Sequence, residues 1–345
     1  MIDMSLHDQV LKKYSMAFAE GRDVASAAAE ILFDALIGSS DQALLAKTLS
    51  AWNNKGISDY ELFAFASLMR KRMKRIEAGH GASVDIVGTG GSKAKSFNVS
   101  TAAAFVVAGA GVRVAKHGNR AATSSSGSSD VLSELGIDVD LEPSIAESHL
   151  GSYGICFMFA PRFHSLSPAL SAARRAIGRP TIFNNLGPLC NPASAPHHVI
   201  GVWGEGLVET TANVLSRLGT QRSWVVNGNG KLDEIALNGK TTVSEINDGE
   251  VSRFEISAAD FGVRSAGADI RSNCSAHESA LIIKAVLSNE LKARDAEKLV
   301  LINAAAAIYV AGKTSDLTDA YNIAEESVRS GAALAKLELL ATDTK

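Results

Sequence analysis

The chain has 345 residues, 46% of them hydrophobic and 21% charged, enough to bury a sizeable core and to divide into two domains. Its 34 basic and 37 acidic residues leave a net charge of −3, which argues against a general electrostatic hold on nucleic acid or an anionic membrane, so a phosphate partner must be gripped locally. The longest apolar stretch, Ala102 to Ala110, falls well short of the roughly 20 residues of a membrane span, and the first residues lack the pattern of a secretory signal.

Residues 1 to about 76 place apolar side chains at helical spacing in blocks near 6–19, 24–36, 41–53 and 58–73, with Ser58 as an N-cap before Glu61. They predict a helical N-terminal domain. After the basic stretch Arg70 to Arg75 and a glycine-containing loop, short β-branched runs alternate with helical patterns across residues 80–345. Val84–Val87, Val112–Ala115, Ile155–Phe159, Val199–Trp203 and Ser223–Val226 read as strands, separated by helices near 99–109, 127–135, 143–150 and 207–218. A hairpin of Lys240–Ile246 and Val251–Ile256 follows, then helices near 275–287, 291–311 and 316–336. The pattern predicts an α/β protein: a small all-α helical domain plus a larger α/β domain with a mostly parallel central sheet. The widely spaced Cys156, Cys190 and Cys274 suit buried, reduced thiols of a cytoplasmic protein better than disulfides or a zinc site.

One segment, Asp85 to Gly136, concentrates small, hydroxyl and basic residues in the manner of a site for a phosphorylated sugar. The strand ending at Val87 delivers Gly88-Thr89-Gly90-Gly91, and Asn98-Val99-Ser100-Thr101 opens an Ala-rich helix. Glycines let the backbone approach an oxyanion, and unpaired N–H groups at a helix start attract negative charge. Lys116, Arg120 and the hydroxyls of Ser124, Ser125, Ser126 and Ser128 form a second phosphate cradle. Far downstream, the adjacent Asp233 and Glu234 follow a strand and offer hard oxygen ligands of the kind Mg²⁺ prefers.

Together with KHGNR, TSSSGSSDVL, FMFAPRFH, RRAIGRPTIFNNLGPLCNP and KLDEIALNGKTTVSEI, these segments give a chain that resembles the anthranilate phosphoribosyltransferases over nearly its whole length. The resemblance implies a helical domain completed by helices from about 163–178, an active site in the hinge cleft, and a homodimer formed through the helical part. It implies a reaction in which the phosphoribosyl group of 5-phosphoribosyl-1-diphosphate moves to the amine of anthranilate, with Mg²⁺, in tryptophan biosynthesis. Positioning and stabilising the departing diphosphate are then the main catalytic demands. By resemblance, Gly88, Gly91 and Ser92 line the diphosphate and ribose, and Ser96, Asn98, Val99, Ser100 and Thr101 continue that wall, with Ser100 also reaching a metal ion together with Asp233 and Glu234. Lys116 brings positive charge to the leaving group. His117, Gly118, Asn119, Arg120, Thr123, Ser124 and Ser128 extend the donor site to the 5-phosphate. Gly88, Asn119 and Arg174 receive anthranilate, the guanidinium facing its carboxylate.

The chain departs from the usual family text in places. Ser92 and Lys93 stand where the glycine loop usually continues with an acidic residue and a glycine, and Lys95 follows. Those lysines either clamp diphosphate or face solvent. His164-Ser165-Leu166-Ser167-Pro168 also differs from the usual acceptor-side segment, leaving another aromatic amine as an alternative acceptor. A nucleoside phosphorylase is a further alternative. The basic stretch Lys71 to Arg75 allows a different class again, a non-catalytic nucleic-acid binder, although the net charge and the lack of an aromatic ladder favour a solvated helix end.

Overall fold

The structure, a computed structural model, describes residues 5–79, 81–92, 96–121, 125–264, 270, 272–290 and 294–343. Its strands are β1 (Ser83–Gly88), β2 (Arg113–Gly118), β3 (Ile155–Phe159), β4 (His197–Gly201), β5 (Arg222–Gly228), β6 (Thr241–Asn247) and β7 (Glu250–Ile256). They form one sheet in the order β3-β2-β1-β4-β5-β6-β7. The first five are parallel and the β6–β7 hairpin closes one edge antiparallel. The helices are α1 (Leu6–Ala19), α2 (Ala29–Gly38), α3 (Gln42–Lys55), α4 (Asp59–Arg72), α5 (Val99–Gly109), α6 (Ser128–Glu134), α7 (Pro143–Tyr153), α8 (Ala160–Phe163), α9 (Pro168–Ile177), α10 (Ile182–Leu189), α11 (Leu207–Arg217), α12 (Ala276–Leu287), α13 (Arg294–Val310), α14 (Leu317–Arg329) and α15 (Ala332–Thr342).

The central strands are apolar on both faces because both are covered. Ile200, Val225 and Ile246 belong to an apolar cluster that runs through α9, α10 and α11 into the four N-terminal helices. Their neighbours Val199, Trp224 and Val226 point the other way, into a cluster built on α5, α12, α13, α14 and α15. Alanine makes that second layer possible. Ala102–Ala104 of α5 and Ala304–Ala307 of α13 are completely buried, and such short side chains let the two helices lie close together under the sheet.

Sequence also dictates how the helical part is pinned. Asp41 accepts the Leu44 N–H at 2.9 Å, and Ser58 with Glu61 forms a capping box at the start of α4. Glu61 is fully buried and accepts from Val24 N–H, Trp52 Nε1, Lys55 Nζ and Ser58 N–H at 2.9–3.0 Å. Four donors around one carboxylate offset the cost of removing it from water. Trp52, which gives one of them, stacks on Phe18 at 4.8 Å and takes the edge of Phe65 at 4.9 Å.

The α/β class and the mostly parallel sheet agree with expectation, and each expected strand is present within a few residues of its anticipated ends. Two differences have physical causes. The helix expected over 316–336 is two helices, because Gly331 turns into the left-handed region at φ 77° and lets the chain change direction. Helix α10 forms although Pro188 removes one of its i→i−4 hydrogen bonds, and packing against α4 and β2 offsets that loss. The basic stretch is also less open than the sequence suggests. Arg72 pairs with Glu30 at 2.7 Å and with Asp34, and its guanidinium lies over Phe33.

Replacing Glu61 with Ala orphans the buried Trp52 and Val24 donors and strips Lys55 of its buried partner. The expected loss is about 3–5 kcal/mol of unfolding free energy, against less for Glu61→Gln, read from urea or thermal melts. A loss below about 1 kcal/mol would show that this carboxylate does not anchor the helical part.

Candidate active site

From β1 the chain crosses to β2 and β3 on one side and later returns to β4 on the other, so the order reverses between β1 and β4. Ligands of open α/β sheets bind outside the carboxyl ends of strands at such a reversal. A cavity of about 180 Å³ lies there, walled by the ends of β1 and β2, the start of α5, helices α9 and α10, and the 231–235 turn. Gly88 and Gly201 are paired across β1 and β4, and both must be glycine for that turn to fit. A Cβ on Gly201 would lie 1.8 Å from the Asp233 carbonyl oxygen, and one on Gly88 would lie 2.6 Å from Asp233 Oδ2.

Of the anticipated residues, Gly88, Asn98, Val99, Ser100, Lys116, His117, Gly118, Asn119, Arg120, Ser128, Arg174, Asp233 and Glu234 line this one cavity. Four others stand behind its wall. Gly91 lies against Pro180, Ser92 Oγ donates to the Lys231 carbonyl at 2.7 Å, Ser96 Oγ donates to Glu234 Oε1 at 3.4 Å, and Thr101 is wholly buried in α5. Thr123 and Ser124, like Lys93 and Lys95, lie outside the described residues.

Lys116 is the central cation. It is only 2% exposed, and its ammonium donates to the Ile86 carbonyl and to Ser100 Oγ, the latter at 3.2 Å. Beneath it, Asp85 is completely buried and accepts from His117 N–H at 3.2 Å and from Asn191 Nδ2 at 2.7 Å. Burial lifts the Asp85 pKa to about 6, and the nearby Lys116 charge holds it from rising further. Neither Asp85 nor Asn191 was anticipated, although an acid inside the apolar strand SVDIV is itself a sign of a buried partner.

The opposite wall carries a different chemistry. Arg174 sits 5.3 Å above the Phe183 ring, and its Nε is buried with no hydrogen-bond partner among the described residues. Burial lowers its pKa to about 10, so it stays cationic at neutral pH. Arg175 is exposed, which separates the two adjacent arginines. Asn184 was missed from sequence: its Oδ1 accepts the Thr181 N–H at 3.0 Å and its Nδ2 donates to the Thr89 carbonyl at 3.2 Å, tying α10 to the glycine loop. The helix-start spacing of Thr181 and Asn184 was the available signal. His117 and His164 meet edge to face at 5.0 Å, and burial pushes their pKa values down to about 3 and about 4. Both rings are neutral near pH 7. The remaining contacts are apolar, from Met69, Leu166 and Pro188.

Asp233 and Glu234 line the same cavity as Lys116. Asp233 Oδ2 accepts the Gly90 N–H at 3.0 Å. No group of three or more His, Cys, Asp or Glu side chains able to hold a metal occurs among the described residues. The two carboxylates, with the Ser96 hydroxyl on Glu234, offer hard oxygens of the kind that suits Mg²⁺, an ion that fills its remaining positions with water and phosphate oxygens.

Fold and site together define a glycosyltransferase. Residues 80–334 match the family described as "Glycosyl transferase family, a/b domain". The chain is similar to the anthranilate phosphoribosyltransferase of Pelotomaculum thermopropionicum, with 44% identity over 303 residues, 88% of this chain and 87% of that one. Among solved structures it resembles anthranilate phosphoribosyltransferase from Thermus thermophilus, with a TM-score of 0.83 and 34% identity over 95% of this chain and 98% of the other. The Saccharomyces cerevisiae enzyme in complex with PRPP and Mg gives a TM-score of 0.85 and 27% identity, with 96% of each chain covered. The chain belongs to the anthranilate phosphoribosyltransferase family.

The buried histidines set the acid stability. His117, His164 and His198 have native pKa values near 3, 4 and 3, below the usual 6.5, so the unfolded chain binds protons that the native chain refuses. Stability should then be level above about pH 7 and fall as pH drops from 6.5 toward 4, by about 1.4 kcal/mol per pH unit for each histidine. Asp85 opposes this between 3.8 and about 6, where the native chain holds the extra proton. Three histidines outweigh one carboxylate. Urea melts between about pH 7.5 and 4.5 measure the slope, and a level profile down to about pH 5 would contradict the buried, neutral state of these rings.

Proposed function

We propose that the chain transfers the phosphoribosyl group of 5-phosphoribosyl-1-diphosphate to the amino nitrogen of anthranilate and releases diphosphate. The observation that carries this is the convergence of Gly88, Lys116, Asp233-Glu234 and the partly buried Arg174 on one cavity. In the reaction the bond from sugar C1 to the diphosphate oxygen breaks, the electron pair leaving with diphosphate. The amine nitrogen bonds to C1 and then loses a proton to solvent.

The residues divide by the charge they meet. Backbone of Gly88 to Ser92 and the start of α5, from Asn98 to Thr101, takes the diphosphate and ribose, where the positive end of the α5 dipole favours an anion. Lys116, held in place before substrate arrives, faces the oxygens on which charge accumulates and needs no reorganisation as it does so. Bound Mg²⁺, held by Asp233 and Glu234 with Ser100, supplies neutralisation of diphosphate charge. Asn119, Arg120, Ser128 and the segment through Thr123 and Ser124 take the 5-phosphate end. Arg174 offers the carboxylate of anthranilate a planar cation, and Phe183, Leu166, Met69 and Pro188 supply an apolar wall for its ring. His117 and His164 act as neutral walls that position the acceptor, because an aromatic amine of low basicity needs no base before attack.

The same reading includes a helical domain of residues 1–76, completed by helices around 163–178, and an α/β catalytic domain of residues 80–345. It includes a cytoplasmic place in tryptophan biosynthesis; among the described residues no helix is long and apolar enough to cross a membrane. It also includes a homodimer formed through the helical part.

Incubation with 5-phosphoribosyl-1-diphosphate, Mg²⁺ and anthranilate should consume anthranilate fluorescence and release diphosphate. Unchanged fluorescence with diphosphate released by another aromatic amine would transfer the assignment to that acceptor. Asp233→Asn combined with Glu234→Gln should cut turnover by at least about a hundredfold in a folded protein. Retained turnover with unaltered Mg²⁺ dependence would remove these residues from the metal site. Arg174→Ala should raise the acceptor KM roughly tenfold to a hundredfold and leave the donor KM within about twofold, as expected for loss of a charge-assisted hydrogen bond. Equal changes in both KM values would rule out a carboxylate clamp.

A further inference from the structure

The 229–240 connection that carries Asp233 and Glu234 has no helix or extended strand of its own, so its carboxylates are only as well placed as its backbone is held. At the residue after Glu234 the hold comes from one distant side chain. Asn303, on the Ala-rich helix α13, accepts the Ile235 N–H on Oδ1 at 2.9 Å and donates from Nδ2 to the Ile235 carbonyl at 3.1 Å. Nδ2 also donates to Leu299 O at 2.9 Å, one turn back in its own helix. Asn303 is 4% exposed and Ile235 fully buried, so solvent cannot replace these bonds.

The placement is unusual for the sequence around it. Leu301, Ile302, Ala304, Ala305, Ala306 and Ala307 are buried and apolar, and an amide among them is costly unless its donors and acceptor are met. Here they are met by both polar groups of one peptide residue, in the way a neighbouring strand would pair with it. Helix α13 packs against α5, whose start lines the same cavity. Asn303 thereby references the acidic turn to the frame that also carries Asn98 and Ser100.

We infer that Asn303 is a positioning residue for the Asp233-Glu234 pair, gripping the backbone of Ile235 from helix α13 so that both carboxylates are aimed into the donor cavity before any ligand arrives. The inference rests on the donor-site reading given above. Asn303 touches neither substrate nor metal and acts through the turn alone.

The test compares the native protein with Asn303→Ala, which removes both bonds, and Asn303→Asp, which keeps the shape and can accept from Ile235 N–H but cannot donate to its carbonyl. Hydrogen exchange of the native protein without ligands should find the Ile235 amide protected well beyond exposed loop amides. In Asn303→Ala that amide should exchange faster, in Asn303→Asp, which keeps the acceptor, it should retain more of its protection, and in both the amide of Val225 in β5 keeps its own. Calorimetry with Mg²⁺ and 5-phosphoribosyl-1-diphosphate, no acceptor present, should show donor affinity lowered by about tenfold or more, with the acceptor KM within about twofold, in line with the loss of a residue that orients metal ligands. A folded variant that binds the donor within about twofold of the native protein would overturn the inference. If neither variant folds, the native measurement decides: an Ile235 amide that exchanges as fast as an exposed loop would overturn it, and strong protection would support it. No heat of donor binding by the native protein would instead defeat the donor-site reading, and this inference with it.

Discussion

A buried ammonium is the constraint on which the site depends. Lys116 lies at the end of β2, almost without solvent contact, and a cation there is tolerable only if acceptors and charges nearby compensate for lost hydration. Its compensation comes from two other elements: the Ile86 carbonyl and the Asp85 charge of β1, and the Ser100 hydroxyl at the start of α5. Asp85 is itself held by Asn191 and by the His117 N–H. Moving any of these elements would leave a buried charge unmet. Strand register, the seat of α5 and the position of the cation are therefore one problem with one solution.

The rest of the cavity follows from keeping opposite demands apart. Lys116 and the start of α5 meet at the β1 end of the cavity, and the acidic pair is tied to the same end through Gly90 N–H and Ser96 Oγ. Glycine at 88 and 201 lets the acidic turn come this close, since any side chain there would displace the Asp233 backbone or carboxylate. On the far wall, burial leaves Arg174 charged but both histidines neutral. The same desolvation has unequal consequences because a guanidinium begins so far above neutral pH and an imidazole does not. That wall thus presents one cation in a mostly neutral surround.

Much of this was legible in the sequence for physical reasons. Short β-branched runs such as β4 and β5 report strands covered on both faces, and apolar positions at helical spacing, as in α11 and α14, report half-buried helices, so the class of fold and most element positions followed. Glycine and hydroxyl residues clustered after a strand report an anion site by local chemistry alone. What stayed hidden depends on contacts distant in sequence. Asn191 lies 106 residues from the Asp85 carboxylate it supports, and Asn303 lies 68 residues from Ile235. Neither side chain has a local pattern that betrays its partner. Helix α10 was unreadable for another reason: Gly187-Pro188 looks like a break, yet the helix is held from outside by packing against α4 and β2.

Ser92 shows how a departure from the family's text can be absorbed locally. Its hydroxyl donates to the carbonyl of Lys231, two residues before Asp233, and the residue is only 8% exposed. An ionised acid at this position would set an acceptor against that carbonyl and add a third negative charge near Asp233 and Glu234, so it would require a compensating cation or a different path for the turn. Serine instead satisfies the carbonyl with its own proton and carries no charge. The hydroxyl therefore joins the glycine loop to the acidic turn directly, beside the second link made by Gly90 N–H to Asp233 Oδ2. Two hydrogen bonds from one loop to one turn set their separation, and with it the distance across which a magnesium-bound diphosphate would be held.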